Sequence, residues 1–227
     1  MGFFDKLKTD EAIEEEKDTL GGFTPRESGA YDFTIELAYI DYSKSGAMNV
    51  NFHFADQAGK HRETIYVTSG KEKGMKTYYE TKDGKKRNLP GFTTVNHICM
   101  LAADVKFTDI EPEEKVLSLY NYDLGKEAPT KKMVLTDLIG KDITLGLIQT
   151  KEPKYNDPDK IITKVETDRV FRTEDHMTVN ELLAEAETAE FYDKWVEAKT
   201  GKVVDKTNGK SSSSSAPKEE KKSLFNK

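Results

Sequence analysis

The chain has 227 residues, of which 36% are hydrophobic and 33% charged, with a formal net charge of −6 and a single cysteine, Cys99. That length admits one large domain or two small ones. No apolar run approaches the ~20 residues needed to span a bilayer, and one cysteine excludes an intramolecular disulfide.

Residues 1–18 hold seven acids and three lysines. They read as a short acidic helix or arm (1–22), broken at Gly21-Gly22. The start lacks the apolar core and cleavage site of a signal peptide. Lys6 also stands where myristoylation requires Ser or Thr. A soluble protein of the reducing cytoplasm is the expectation. Tyr31, Phe33, Ile35, Leu37 and Tyr39 then alternate with polar or small residues, which predicts a half-buried strand. After a turn at Ser43–Gly46, Met48, Val50, Phe52 and Phe54 alternate with Asn49, Asn51 and His53 in a second strand. Residues 63–69 form a third, with Ile65 and Val67 opposite Thr64, Tyr66 and Thr68. Three strands joined by short glycine-containing turns make an antiparallel meander.

The stretch 60–87 is the most informative. It holds nine Lys/Arg against four Asp/Glu in an otherwise acidic chain, with Tyr66, Tyr78 and Tyr79 among them. Cations follow phosphates and aromatic faces stack on unpaired bases, so this composition suits a single nucleic-acid strand. The competing reading is a solvated hairpin with lysine on its open edge. Asp83-Gly84 is a strong hairpin turn, so residues 76–88 are expected to form a β-ribbon.

Thr93 or Thr94 is placed to cap a helix with Val95, Ile98, Cys99 and Ala102 on one face. Residues 115–122 read as a strand, 134–139 as a short helical turn, 143–149 as a strand, 153–159 as a loop and 161–171 as one or two strands. Residues 173–200 carry an acidic helix, clearest over 178–198, with Leu182, Leu183, Ala186, Ala189 and Trp195 on a broad stripe. From 201 to 227 the polar, serine-rich sequence is expected to be disordered, with the apolar pair Leu224-Phe225 as a candidate partner-binding motif.

Three meandering strands, a helix and then further strands follow the order of an OB-fold, a partly open five-stranded barrel. The expected class is mainly β with α: an OB-fold-like five-stranded barrel over 23–172, with a β-ribbon insertion and a C-terminal helix. Strands two and three would turn Asn49, Asn51, His53, Thr64, Tyr66 and Thr68 outward, with Tyr42 and Lys44 at the first turn.

Metal and catalytic signatures are weak. His53, His61, His97 and His176 are scattered and Cys99 has no partner at ligand spacing. No nucleophile elbow, phosphate loop or HExxH is present. Asp32, Glu36 and Asp41 are the carboxylates a metal-dependent nuclease would use, but nothing singles them out. The expectation is a protein that is not an enzyme.

Thr77-Tyr78-Tyr79-Glu80, Asp83-Gly84-Lys85-Lys86, Leu89-Pro90-Gly91-Phe92 and the run Val95 to Leu101 resemble single-stranded DNA-binding proteins of tailed bacteriophages. So do Ser45-Gly46, Leu138-Ile139-Gly140-Lys141 and Phe191-Tyr192-Asp193-Lys194-Trp195. The resemblance covers residues 25–200. It implies an OB-fold that coats single strands during phage DNA replication, recombination or repair, without cofactor and with little sequence preference, in the host cytoplasm. It implies single-stranded DNA as partner, together with phage or host replication and recombination proteins. Many members end in an acidic tail with a terminal aromatic; this chain ends KEEKKSLFNK, which departs from that pattern.

On this reading Lys60, Arg62, Lys71, Lys73, Lys76, Lys85, Lys86 and Arg87 contact phosphates. Tyr66, Tyr78 and Tyr42 stack bases, while Asn51, His53 and Lys44 add polar contacts. The alternative is an OB-like adaptor that recruits replication enzymes through Leu224, Phe225 and the acidic helix.

Overall fold

The computed structural model describes residues 25–121 and 124–207. The acidic arm (1–22) and Leu224-Phe225 lie outside them. The fold is mainly β. The meander consists of β1 (Gly29–Tyr42), β2 (Met48–Asp56) and β3 (Gly59–Tyr66), paired antiparallel in sequence order. A bulge between Ile35 and Leu37 leaves Glu36 out of the β1–β2 register. An extra residue reverses which positions face inward. Phe33 and Ile35 are buried before the bulge, and Ala38 is buried with Ile40 half-buried after it. Leu37 and Tyr39, expected on the core side, are therefore turned to the outer face, where Tyr39 is still buried.

The β2–β3 turn is clamped by Arg26, which donates two 2.7 Å hydrogen bonds to Asp56. In the β1–β2 turn, Gly46 has φ +74 and Lys71 packs where a β-carbon would sit, so both backbone and space require glycine.

After β3, a 3-10 turn at Lys71–Lys73 leads into a separate two-stranded ribbon, β4 (Tyr78–Glu80) and β5 (Lys86–Asn88). Ser69 and Leu89 root it by donating their N–H groups to Lys76 and Thr77. Helix α1 (Pro90–Ala103) begins at Pro90, not at a Thr93 or Thr94 cap. Proline fixes the first-turn φ without wasting an N–H. A β-carbon on Gly91 would lie 2.1 Å from the Tyr66 carbonyl, so glycine lets the helix start against β3. Val95, Ile98, Cys99 and Leu101 are its buried residues. Burial pushes the Cys99 thiol up to about 12, so it is an inert core residue.

β6 (Glu113–Asn121) and β7 (Lys126–Val134) form a hairpin. β7 was not legible in the sequence, because Lys126 to Lys132 is charged and carries Pro129. After the 3-10 turn Thr136–Leu138, β8 (Asp142–Lys154) and β9 (Asp157–Phe171) form a second long hairpin. The expected loop at 153–159 shrinks to Tyr155-Asn156, since Lys154 already pairs with Asp157.

The expected helix over 178–198 divides into α2 (Val179–Leu183) and α3 (Glu190–Lys199). Thr178 and Glu181 form a capping box, and Glu181 also accepts the Phe191 N–H, which turns the chain back. Glu185 adopts φ +51 between the helices. Leu183 is exposed, whereas Trp195 is buried with Ile148 and Phe171. The Trp195 ring lies 2.9 Å from where a β-carbon on Gly146 would sit, and its Nε1–H donates to Asp168 at 2.8 Å. Within the stretch expected to be tail, β10 (Val203–Asp205) pairs parallel with β8. Its valines supply the strand propensity that the serine-rich segment lacks.

The spatial order is β9-β8-β1-β2-β3. β1 serves two partners along one edge: β8 takes Gly29–Thr34, and β7 takes Tyr39 and Ile40. The core lies between this curved sheet and α1, with Phe33, Phe52, Phe54, Ile98, Leu145 and Leu147 essentially inaccessible. Each such residue contributes roughly 1.5–3 kcal/mol of transfer free energy. No described ladder joins β3 to β9. The gap is bridged instead by Glu63, whose carboxylate accepts from the Thr167 N–H at 3.0 Å and from its hydroxyl at 2.6 Å. Replacing Glu63 by Ala strands both donors. Glu63→Ala is expected to lower the unfolding free energy by about 1–3 kcal/mol, read from urea denaturation; an unchanged midpoint would show that the seam carries no stability.

Candidate nucleic-acid interface

Cross-strand pairing places Asn51 opposite Thr64 and His53 opposite Arg62, so these four share the outer face of β2 and β3. Tyr39 and Asp41 join them from β1, opposite Asn51 and Asn49. Asn51 links the strands by donating to Asn49 at 2.8 Å and accepting from Thr64 at 2.6 Å. Above this floor the β6–β7 hairpin forms a wall carrying Leu119, Tyr120, Thr130 and Lys132. Floor and wall enclose a cleft of about 630 Å³. Lys132 ties the two together, with its Nζ 2.6 Å from Asp41 and 5.9 Å from the centre of the Tyr39 ring. Tyr39 meets His53 edge-on at 6.1 Å.

Partial burial holds the His53 pKa below its ordinary value, and the neighbouring Arg62 charge lowers it further. His53 therefore sits neutral in the cleft at neutral pH, and Arg62 and Lys132 are the cations there.

A second cleft, of about 760 Å³, lies at the end of the same face. Lys44 reaches it from the β1–β2 turn, Tyr66 from the end of β3, and Lys71 and Lys73 from the 3-10 turn. Tyr66 is 51% exposed there.

The ribbon is a third location. Tyr78 is half-buried, with the Lys76 and Lys86 ammonium groups 5.7 and 5.1 Å from its ring centre. Tyr79, opposite Arg87, is the more exposed of the pair. Lys85 makes an exposed ion pair with Asp83 at 3.5 Å.

The sequence candidates thus fall into groups. Asn51, His53 and Arg62 meet in the first cleft, and Lys44, Tyr66, Lys71 and Lys73 in the second. Lys76, Tyr78, Lys85, Lys86 and Arg87 belong to the ribbon and its root. Lys60 follows the first group along β3, paired with Glu36 at 2.9 Å. Tyr42 is exposed at the end of β1 and lines neither cleft.

Sequence reasoning missed Tyr39, Tyr120 and Lys132, which line the first cleft. Tyr39 read as core because the bulge was invisible. Lys132 lay in an unassigned strand. Tyr155 is 97% exposed at the β8–β9 tip and lines neither cleft.

Asp32, Glu36 and Asp41 are engaged separately. Asp32 accepts from Thr144 at 2.6 Å, while the other two pair with Lys60 and Lys132. Compared with known proteins, the sequence matches no protein-family model and no curated protein. No described helix is long and apolar enough to cross a membrane.

In an NMR titration, the His53 ring protons are expected to show a midpoint below the ordinary ~6.5. Arg62→Ala should raise that midpoint only part of the way, because burial is the larger cause. A midpoint unmoved by Arg62→Ala would show that the guanidinium does not act on the ring.

Proposed function

We propose that the chain binds single-stranded DNA, without catalysis and with little sequence preference, where replication, recombination or repair exposes single strands. One observation carries this reading: Arg62, Thr64 and Tyr66 lie on one face of β3 and lead from the first cleft to the second. At about 3.3 Å per residue they span roughly 13 Å. A strand following β3 would meet Arg62, Lys132 and His53 at one end and Tyr66, Lys44, Lys71 and Lys73 at the other. Cations stand at both ends of that path with the exposed Tyr66 ring among them, the combination a sequence-tolerant single-strand site uses.

The strand order supports an OB-fold reading at finer grain. β1, β2 and β3 correspond to its first three strands, β8 and β9 to its fourth and fifth, and α1 follows the third. The β4–β5 ribbon and the β6–β7 hairpin are then insertions, the second of which walls the binding face.

A duplex suits this surface less well. Its bases are stacked away from tyrosine faces, and the net charge of −6 opposes binding that rests on phosphates alone.

The test is fluorescence anisotropy with labelled oligo-dT and a matched duplex, each at low and high salt. Salt-sensitive binding to the single strand, with little to the duplex, is expected; no binding to either overturns the proposal. Arg62→Ala should weaken binding and lower the magnitude of the salt slope by about 0.7, one phosphate contact on a single strand. Substituting Lys85, Lys86 and Arg87 together should flatten the slope further, and an unchanged slope would remove the ribbon from the path. Tyr66→Ala should cost about 1–3 kcal/mol of stacking and leave the slope as it was. A slope change as large as that of Arg62→Ala would mean that Tyr66 acts through the fold.

A further inference from the structure

A cavity of about 680 Å³ is lined by residues of α1, β9, α2 and α3 and shares none of them with the first cleft. Its apolar surface includes Val170 and Phe191, and the Phe191 ring is 39% exposed with the Arg169 guanidinium 5.9 Å from its centre. Asp168 and Glu181 also line it, and Glu181 belongs to a segment, 174–197, that holds eight Asp/Glu and one lysine. Five of those acids, Glu174, Glu185, Glu187, Asp193 and Glu197, are exposed and make no ion pair among the described residues. A partly aromatic cavity beside so negative a surface suits a short basic segment that carries apolar side chains.

We propose that residues 218–225 of this same chain dock in the cavity, with Leu224 and Phe225 as the anchors. The chemistry matches: residues 208–227 hold five lysines and two glutamates, and Lys218, Lys221 and Lys222 lie just before Leu224-Phe225. Reach favours this occupant over a separate partner. Asp205 of β10 pairs with Lys151 of β8, and Leu145, six residues back along β8, pairs with Val170 in the cavity wall. That offset is roughly 20 Å. A coil of seventeen residues, the separation of Thr207 from Leu224, spans roughly 20–25 Å. A tether that matches its span holds the segment at an effective concentration of about millimolar, which a separate chain of the same chemistry must exceed. Phe225 then meets the exposed ring of Phe191, an aromatic contact, and the lysines meet the acids that lack partners. The contact does not depend on nucleic acid.

Paramagnetic relaxation on the full chain, without nucleic acid, tests it. Ser223→Cys provides the attachment point for a nitroxide label, and the native Cys99 is buried and stays unlabelled. The amide signals of His97, Val170 and Phe191 should broaden in an isotope-labelled chain that carries the nitroxide. They should stay sharp when the nitroxide chain is mixed with a separate isotope-labelled one. Leu224→Ala with Phe225→Ala should abolish the broadening, and so should replacing Lys218, Lys221 and Lys222 together by Glu, because like charges then meet. Neither set touches a described residue, so both chains should melt like the parent. The proposal is overturned by signals that stay sharp in the nitroxide chain or by broadening that survives either set of substitutions. It is equally overturned by broadening in the mixture, which would make the occupant a second copy.

Discussion

The first cleft of the candidate interface follows from one extra residue in β1. The strand has 14 residues, more than either partner on its far edge can cover, and the bulge at Glu36 lets it bend between them. Before the bulge it is pinned to β8 and the core. After it, the backbone pairs with β7, and Leu37, Tyr39 and Asp41 face away from the core. Because β7 joins β1 only at Tyr39 and Ile40, the rest of the β6–β7 hairpin departs from the sheet at that point. A regular β1 would keep Tyr39 in the core and offer β7 a different face, and the cleft above β2 and β3 would lose both an aromatic and its wall.

The same region shows how an acidic chain can present cations. Lys132 is held by Asp41, Lys60 by Glu36 and Lys85 by Asp83. The Lys60 and Lys85 pairs are exposed and screened by salt, so a phosphate can take the place of the carboxylate there at little cost. On the proposed reading, the acids would oppose indiscriminate attraction of polyanions, while the ammonium groups stay where a strand would pass. Lys132 is the most buried of these three lysines, and its release from Asp41 costs the most of the three.

Local alternation was enough to read the meander, and the outward placement of Asn51, His53, Thr64 and Tyr66 follows from it, because a period of two assigns faces without tertiary knowledge. The ribbon was legible from Asp83-Gly84. Three features were not, each for a physical reason. The bulge leaves no mark in a sequence whose residues alternate acceptably in either register, so Tyr39 was assigned to the wrong face. β7 has poor strand propensity and exists because β6 and β1 supply its hydrogen bonds. The break between α2 and α3 depends on Glu181 reaching the Phe191 N–H ten residues on, a contact that helical periodicity cannot anticipate. In the candidate site, the residues on β2, β3 and the ribbon were therefore visible beforehand, and those contributed by the bulge and the wall were not.

Further along the same outer side of the sheet, β8 is covered in a different way. β8 is buried continuously from Ile143 to Ile148, which requires cover on both sides. The core and α1 supply one side. Trp195 of α3 supplies the other, seated on Gly146 and fixed by its hydrogen bond to Asp168. Ser28 then binds the chain's return to the start of β1, donating its hydroxyl to the Lys202 carbonyl and accepting the Gln149 N–H at 2.7 Å. Helix α3 is thereby committed to the outer side of β8, and no helix lines the first cleft. What covers the outer face of β1, β2 and β3 is the β6–β7 hairpin, paired with β1 at Tyr39 and Ile40 and tied again by Lys132 to Asp41. On the proposed reading, the space between sheet and hairpin is where unpaired bases of differing size would sit, held without readout of their sequence.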